Sequence, residues 1–369
     1  MHIGLILPGF SRDAHHWAIP VLQELAVWLA QRHEVTVFSL CYPAAGVYRF
    51  GNLTHIAVGG GTRARLAAVG VWAAGLRAVV RVHRQRPFHL LHAFWVDEPA
   101  LVAGLAGHWI GRPVLASIGG GELVYLPDIG YGMQGSRLRR AMVRLGLRGA
   151  AVVTGGSHYA LDLCRRQGVP EAKLRLIPLG VNTDRFFPRS TPLMARPPLT
   201  LVQAAGLSGV KNQALLLAVL RQVKTAVPVV RLILAGQGPL AAHLHRLAEQ
   251  DGLAEQISWQ PQVAYPEMPP VYGQGHLYVQ TSRHESQGMA VLEALACGLP
   301  VVGTPVGVLP QVAAWSPGWT VAELAGGVLA MAETAVAATH RQQAHHLIAT
   351  TYSLAVSGAQ FSQLYAEYI

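Results

Sequence analysis

The sequence predicts an α/β protein of two domains, each built on a parallel sheet with helices on both faces. Three observations lead to this fold class. The chain has 369 residues, which is more than one hydrophobic core usually supports. Apolar residues make up 51% of the chain and charged residues 13%, a composition that excludes a disordered protein. Short apolar runs alternate with longer stretches of helical periodicity in both halves, and this alternation is typical of parallel sheets.

Strands are predicted where short apolar runs end at turn residues. In the first half they fall near His2–Leu7, Glu34–Phe38, Leu53–Val58, Leu90–Ala93, Pro113–Ile118 and Ala151–Thr154. In the second half they fall near Leu199–Ala204, Val229–Leu234, Ile257–Trp259, Leu277–Gln280 and Pro300–Val302. Residues 177–198 are rich in Pro and turn residues and are predicted to link a domain of residues 1–180 to one of residues 181–354.

The net charge of +10 lies entirely in the first domain. Residues 1–180 contain 19 Lys and Arg against 9 Asp and Glu, whereas residues 181–369 contain 10 of each. Two predicted helices, 63–86 and 137–148, mix Arg with apolar residues, as in a basic face on an anionic membrane surface. A solvated Arg-rich helix surface explains the same pattern about as well. A nucleic-acid partner is excluded because no reader motif is present and the basic residues are not interleaved with aromatics.

Other classes of protein are disfavoured by cysteine and histidine usage. The three cysteines are scattered and odd in number, which favours a reducing, cytoplasmic compartment over a disulfide framework. The first residues reach Pro8 and Gly9 too early for a signal peptide, and no apolar run is long enough for a membrane span. The 17 histidines lack metal-binding spacing, so we predict neither a metal nor a cofactor.

The segment Ser282–Pro300 carries two carboxylates, Glu285 and Glu293, around the start of a predicted helix. The helix is predicted to open at Gly288, and its stop signal is Gly298 followed by Pro. Glu285 then precedes the helix and Glu293 lies inside it, so that each can hold a different part of one extended ligand. Free N–H groups at a helix start attract phosphate. A nucleotide diphosphate sugar has this layout of sugar hydroxyls, diphosphate and ribose hydroxyls.

This segment resembles the E-x7-E signature of the retaining glycosyltransferases of family 4, which have the GT-B fold. The resemblance implies two Rossmann-like, doubly wound domains that face a cleft, and a C-terminal helix that crosses back so that residues 355–369 pack on the N-terminal domain. A nucleotide-sugar donor would bind the second domain and a hydroxyl acceptor the first. Glu285 would bind the donor sugar and Glu293 the ribose, while the residues at the helix start would bind the diphosphate: Ser286, Gln287, Gly288 and Met289.

Further matches to the family lie in the second half. Residues 205–212 resemble its Gly-Arg-Leu-x-x-x-Lys-Gly/Asn loop, which assigns Lys211 to the donor diphosphate. Lys211 and Glu285 are therefore the candidate catalytic residues. Gly236 and Gly238 resemble a Gly-x-Gly-Pro turn whose backbone approaches the donor. The family's Arg is replaced by Gly206, so either another cation substitutes, for which Arg283 and Arg12 are candidates, or donor binding is weaker.

The first half resembles the family less closely. Gly9 stands in the glycine-rich loop that approaches the donor phosphates. Residues 113–122 align with a stretch that ends in His-Gly-x-Asp in the family, with Gly119 in the place of His and Glu122 in the place of Asp. His92, at the end of the preceding strand, is a candidate to line the cleft instead. The candidate acceptor and cleft residues are Arg12, His92, Gly120, Glu122 and Arg283.

The function implied by the resemblance is retaining sugar transfer by front-face substitution, in which the leaving diphosphate takes the acceptor proton. The acceptor is a hydroxyl compound that the sequence does not identify, and the basic first domain suits a lipid-linked acceptor at the inner face of the membrane. Two alternatives stay open. A nucleotide-sugar-binding pseudoenzyme or partner subunit would bind donor without turnover, and a GT-B sugar epimerase would convert the donor without an acceptor.

Overall fold

The structure is a computed structural model that describes residues 1–13, 15–61, 65–188, 199–312 and 318–369, without the side chains of residues 65–67 and 334–340. These residues form two compact units. The first contains residues 1–180 together with 354–369, and the second contains residues 181–353. Residues 189–198 of the predicted linker, and residue 63 at the start of a predicted basic helix, lie outside the described part.

The first unit is built on an eight-stranded sheet with the order β3-β4-β2-β1-β5-β6-β7-β8. All neighbouring strands are parallel except the β3–β4 pair at one edge. The six predicted strands are confirmed, and the sequence did not predict β3 or β8. The strands are β1 (His2–Gly9), β2 (Glu34–Tyr42), β3 (Gly46–Phe50), β4 (Leu53–Ala57), β5 (Leu90–Phe94), β6 (Val114–Ser117), β7 (Val152–Gly155) and β8 (Leu174–Leu176).

Helices cover both faces of this sheet, as its buried strands require. On one face they pack as α2 (Arg65–Gln85), α3 (Glu98–Ile110), α4 (Arg137–Gly149) and α5 (His158–Arg166). On the other face lie α1 (Pro20–Ala30) and the last helix of the chain, α13 (Leu354–Ala366). Gly358 of α13 lies so close to α1 that a Cβ there would be 2.3 Å from the Trp28 ring. The last helix is therefore part of the first unit's core.

The second unit is built on a five-stranded parallel sheet with the order β11-β10-β9-β12-β13. All five strands were predicted. They are β9 (Thr200–Ala204), β10 (Arg231–Ala235), β11 (Ile257–Gln260), β12 (Leu277–Gln280) and β13 (Val301–Gly303). The helices are α6 (Gln213–Ala226), α7 (Ala241–Gln250), α8 (Met268–Gly273), α9 (Met289–Ala296), α10 (Leu309–Val312), α11 (Val321–Met331) and α12 (Thr334–Leu347). Here too the cores lie on both faces of the sheet.

Each sheet has one point where the strand order reverses direction. It lies between β1 and β5 in the first unit and between β9 and β12 in the second. In open parallel sheets, ligands bind in the crevice outside the carboxyl ends of the two strands at such a point. The loops after these four strands are therefore where a site is expected. Among the described residues, no helix combines the length and the apolar character that a membrane crossing requires.

Candidate functional site

The crevice of the second unit brings together the two candidate catalytic residues. Lys211 lies on the loop after β9, and Glu285 lies on the loop after β12. Lys211 Nζ donates to Glu285 Oε1 at 2.5 Å, and Ser282 Oγ donates to the same oxygen at 2.7 Å. The side chain of Lys211 is 27% exposed and that of Glu285 13% exposed. The pair is thus partly shielded from water, where charge interactions are stronger than at an open surface, yet a ligand can reach it.

Hydrogen bonds fix the two loops against each other. The Lys211 N–H donates to Ser208 O at 3.0 Å, which closes the turn before the lysine. Thr281 Oγ1 donates to Lys211 O at 3.0 Å, and the Arg283 N–H donates to Val210 O at 2.8 Å. These bonds position Lys211 from the neighbouring strand end. They also place Arg283 beside the lysine loop, on the same unit.

The helix start predicted at Gly288 is confirmed. Gly288 has a left-handed backbone with φ 96°, a conformation that glycine adopts without strain, and α9 follows it directly. The helix buries its apolar side and ends before Gly298, whose φ is 79°. Ser286, Gln287 and Met289 therefore lie at a helix N-terminus, which is the positive end of the helix dipole.

Gln280 is a donor at this place that the motif analysis missed. It is the last residue of β12 and is 3% exposed. Its Nε2 has no hydrogen-bond partner in the described part of the chain, and it would be 3.9 Å from a Cβ at Gly288. A buried amide nitrogen without a partner is costly, so it marks a place where a ligand acceptor fits. A glutamine at a strand end carries no sequence signal of this role.

Glu293 is buried in α9, where only 8% of the residue is exposed, and it accepts a hydrogen bond of 2.8 Å from the Tyr272 hydroxyl. Tyr272 is fully buried, and burial together with the Glu293 carboxylate raises its pKa. This bond explains how a carboxylate is tolerated among apolar neighbours. The ribose-binding role of Glu293 stays a prediction.

Gly236 and Gly238 are required by contacts between two loops of the unit. A Cβ at Gly236 would be 2.1 Å from Ala205 O, and one at Gly238 would be 2.3 Å from Leu207 O. These glycines let the loop after β10 lie against the lysine loop, and their contact with a donor stays a prediction. Gly206 is different, because the nearest described heavy atom to its Cβ would be Gln237 O at 3.7 Å. The absence of the family's Arg is therefore not imposed by steric crowding.

Two candidates of the first unit lie at or after the end of β1. Gly9 is the last residue of that strand and is buried, and a Cβ there would meet Tyr42 Cβ at an ordinary 3.5 Å. The side chain of Arg12 is 61% exposed, and its Nε donates to Asp13 Oδ2 at 3.2 Å. Their donor and cleft roles stay predictions.

The prediction that His92 lines a cleft is wrong. The residue has no exposed surface, and both ring nitrogens are hydrogen-bonded within the first unit. Nδ1 lies 2.8 Å from the Tyr365 hydroxyl, and Nε2 lies 2.8 Å from Ser117 Oγ. Burial lowers the pKa of the ring to about 3, so the ring is neutral at physiological pH. His92 ties the sheet to α13 and does not face a ligand.

Glu122 is also buried, with 1% of the residue exposed, and so does not line a cleft surface as predicted. Its carboxylate accepts hydrogen bonds from the N–H groups of Gly119, Gly120 and Val96 at 2.9, 2.5 and 3.4 Å. Burial raises its pKa, and these N–H groups oppose the shift. Glu122 therefore shapes the loops after β5 and β6, and Gly120 is held by it. Among the described residues, no group of metal-ligating side chains is present.

Comparison with known proteins identifies the family. Residues 190–323 match the family described as glycosyl transferases group 1, and residues 18–180 match the glycosyl transferase 4-like domain. The chain belongs to the family 4 glycosyltransferases. Both matches fall on the units described above, one on each.

The curated relatives of this glycosyltransferase include a component of the Arabidopsis thaliana phosphatidylinositol N-acetylglucosaminyltransferase. It is 33% identical over 150 residues, which are 40% of this chain and 33% of the relative. A GDP-mannose-dependent alpha-(1-6)-phosphatidylinositol monomannoside mannosyltransferase of Mycobacterium tuberculosis is 29% identical over 251 residues, or 63% of each chain. The chain thus spans 33% of the length of the first of these relatives and 63% of the second.

Solved structures show that the fold is GT-B. Sucrose-phosphate synthase from Thermosynechococcus elongatus matches with a TM-score of 0.78 at 19% identity and covers 99% of this chain and 98% of that one. Anabaena HepE, solved in complex with UDP and glucose, matches with a TM-score of 0.76 at 18% identity over 98% of this chain and 99% of HepE.

Proposed function

We propose that this protein transfers a sugar, with retention of configuration, from a nucleotide diphosphate sugar to a hydroxyl acceptor. The observation that carries the proposal is the Lys211–Glu285 pair in the crevice between β9 and β12, beside the start of α9. A cation, a helix N-terminus and the unpartnered Gln280 amide suit an anionic diphosphate, and a neighbouring carboxylate suits sugar hydroxyls.

The proposed chemistry is a front-face substitution. The bond from the anomeric carbon to the diphosphate oxygen breaks while the acceptor oxygen bonds to the same face of that carbon. The acceptor proton passes to the departing diphosphate, so no enzyme nucleophile is needed. Lys211 and the helix start stabilise the negative charge that develops on the diphosphate, because they are fixed before the reaction. Glu285 holds the sugar hydroxyls and Glu293 the ribose hydroxyls.

The names of relatives support a nucleotide-sugar donor. Structures of HepE contain UDP or UDP-glucose, and the mycobacterial relative is named as GDP-mannose-dependent. These names differ in the base and in the sugar. The proposal therefore names a nucleotide diphosphate sugar as the donor but specifies neither its base nor its sugar. We propose that neither a metal nor a cofactor takes part.

We further propose that the first unit docks on an anionic membrane surface at the cytoplasmic face, where a lipid-linked acceptor would be found. The curated relatives described above are named for phosphatidylinositol compounds. The phosphate of such a lipid is chemically matched to the basic surface of this unit. No acidic residue occurs in α2 or α4, which both pack on α3.

The proposed docking surface combines exposed apolar side chains of α3 and α4 with the arginines of α2 and α4. Trp109 of α3 is 69% exposed and Leu105 is 51% exposed, while Leu138 and Leu145 of α4 are 63% and 57% exposed. Trp109 also borders a groove lined by Leu76 and Val80 and flanked by Arg77, Arg81 and Arg84 of α2. Tryptophan is favoured at membrane interfaces, and each arginine near anionic lipid adds about 1 kcal/mol of attraction. A solvated surface would not need the apolar side chains.

The donor proposal is tested by thermal denaturation with UDP, GDP, ADP, TDP and their sugar conjugates, on the wild type and on Glu293→Gln. The glutamine keeps an acceptor for the Tyr272 hydroxyl. A ligand at 100 times its Kd stabilises a protein by about 2.7 kcal/mol. We expect one nucleotide to raise the Tm of the wild type and the variant to lose that rise. Absence of any rise would contradict donor binding.

Turnover assays separate the alternatives. Donor binding without transfer to any of a panel of hydroxyl acceptors would favour the pseudoenzyme or partner subunit. Conversion of the donor without an acceptor would favour the epimerase. Transfer with inversion at the anomeric carbon, measured by NMR of the product, would contradict retention.

The membrane proposal is tested by sedimentation with phosphatidylcholine vesicles that contain or lack phosphatidylinositol, at low salt. We expect binding to the anionic vesicles alone, and loss of it in the double variant Arg77→Gln, Arg81→Gln. Arg165→Gln is the matched control, because its guanidinium is already paired with Asp162 and Glu171. Equal binding of the wild type to both kinds of vesicle would refute the proposal.

A further inference from the structure

Trp95 occupies a strained position at the point where the strand order of the first unit reverses. It follows β5 directly and lies outside the carboxyl end of that strand, next to the crevice between β1 and β5. Its φ is 77°, in the left-handed region that a bulky side chain rarely adopts. Strain of this kind persists only where surrounding structure enforces it, commonly at a ligand site.

The surrounding structure enforces this conformation from two sides. The Trp95 N–H donates to Ser117 O at 2.9 Å. The next residue, Val96, donates its N–H to the buried Glu122 carboxylate, which also accepts from Gly119 and Gly120. The loops after β5 and β6 are therefore joined through one carboxylate. These bonds fix the backbone of Trp95 and so set the position from which its indole projects.

The indole lies against a backbone that has no side chain. A Cβ at Gly119 would be 2.4 Å from the Trp95 ring, and a Cβ at Gly120 would be 3.3 Å from Trp95 Nε1. The two glycines therefore leave room that the indole fills. The indole takes the volume into which a side chain at position 119 would project. Trp95 is only partly buried, so part of its surface remains accessible.

We propose that Trp95 is the platform on which the ring of a cyclic polyol acceptor, such as an inositol or a pyranose, stacks in the first unit. This inference rests on the proposed function, because it specifies the acceptor of that reaction. A rigid indole offers a large apolar face to the C–H groups of such a ring at little entropic cost. The hydroxyls at the ring edge then stay free for polar contacts. An acyclic polyol lacks the flat C–H face.

The test uses myo-inositol and methyl α-mannoside as ring probes and glycerol as the acyclic probe, without nucleotide. Titration of tryptophan emission is expected to respond to the rings in the wild type and not in Trp95→Phe, which removes the reporter. Binding followed by ligand-observed NMR is expected to weaken at least fivefold in Trp95→Ala. The proposal would be overturned if glycerol gave the same response as the ring probes. It would also be overturned if Trp95→Phe responded as the wild type does, or if the wild type responded to neither ring.

A second variant distinguishes loss of the ring-binding platform from misfolding of the protein. Gly119→Ala places a methyl group in the volume of the indole and leaves Trp95 itself intact, so ring binding is expected to fall at least fivefold. Gly104→Ala in α3 is the matched control, because no described heavy atom lies within 4 Å of its Cβ. Unchanged ring binding in Gly119→Ala, with a Tm that confirms folding, would contradict the platform.

The nucleotide-dependent rise in Tm is measured on the same variants. A retained rise with lost ring binding assigns the defect to the acceptor platform. If no nucleotide raises the Tm of the wild type, the proposed function itself fails.

Discussion

Lys211 and Glu285 are 74 residues apart in the sequence, and their Nζ and Oε1 atoms lie 2.5 Å apart. Each charge is balanced by the other, and the hydroxyl of Ser282 donates to the same Glu285 oxygen. In the proposed reaction, a diphosphate that binds Lys211 would share the ammonium with Glu285. The carboxylate would then turn to sugar hydroxyls, which donate hydrogen bonds to it. The proposal therefore assigns to this ion pair a coupling between recognition of the diphosphate and recognition of the sugar.

Replacement of Lys211 by Ala removes the cation from the crevice. We expect kcat/KM for the donor to fall about 100-fold or more, because a fixed donor to developing charge commonly contributes that much. Steady-state kinetics with the nucleotide sugar found in the thermal assay provide the measurement. Lys224→Ala is the control, since Lys224 Nζ donates to Gly252 O on the surface of the same unit. Equal losses in both variants would argue against a specific role for Lys211.

Replacement of Gly206 by Arg introduces the cation of the family loop that residues 205–212 resemble. A side chain there has room, since the nearest described atom to its Cβ would be 3.7 Å away. We expect the Kd of the nucleotide diphosphate to decrease about tenfold at low salt, the effect of one charged hydrogen bond. Isothermal titration calorimetry measures the change. A higher Kd would mean that another cation already occupies this part of the site.

Gly307 lies against the loop that carries Glu285, although it is outside the motif. Its φ is 62°, and a Cβ would be 2.4 Å from Gln287 O and 2.9 Å from Glu285 Cβ. We expect Gly307→Ala to move the carboxylate and reduce kcat about 100-fold, since small displacements at a reacting centre have effects of that order. The control is Gly326→Ala in α11, where no described atom lies within 4 Å of the Cβ. Full activity of Gly307→Ala would show that the loop tolerates the shift.

Asp97 makes the stability of the first unit depend on pH. Burial, followed by the nearby Glu122 and Glu98 carboxylates, raises its pKa from 3.8 to about 7. The folded protein then binds a proton that the unfolded chain releases above pH 3.8, so this group stabilises the fold progressively less as the pH rises from 4 through 7. We expect Asp97→Asn to raise the Tm by several degrees at pH 8 and to have little effect at pH 4. Equal effects at the two pH values would contradict this assignment.

The hydroxyl of Tyr365 holds α13 to the sheet through His92. Tyr365→Phe leaves a buried ring nitrogen without its partner, which commonly costs about 1–3 kcal/mol. We expect a lower midpoint in urea denaturation, measured by circular dichroism. Tyr368→Phe, at a partly exposed position after the same helix, should leave the midpoint unchanged. If the two variants had the same midpoint, the hydrogen bond to His92 would make no net contribution to stability.

The sequence predicted strands well where they are buried on both faces, because such strands are continuous apolar runs. It missed β3 and β8, and the reason differs between the two strands. β3 lies at a sheet edge, pairs antiparallel and is mostly exposed, and β8 has only three residues with Arg in the middle. Neither segment has the unbroken apolar run that signals a buried strand.

Site prediction succeeded for the helix start at Gly288 because left-handed glycine is a local property. It failed for His92 and Glu122 because their exposure depends on elements distant in the chain. Tyr365 lies 273 residues after His92, and only the packed fold brings the two together. Trp95 was missed for a related reason, since a backbone held in a strained conformation leaves no composition signal.

The position of α13 determines the order in which the protein can fold during synthesis. Phe361, Leu364 and Tyr365 of this helix complete the apolar core of the first unit. A ribosome delivers residues 1–180 first, yet it must then produce all of residues 181–353 before those side chains emerge. Until then, one face of the sheet in the nascent first unit stays incompletely covered. Its core is complete only after residues 354–369 have been synthesised, so the unit that is begun before the second is finished after it.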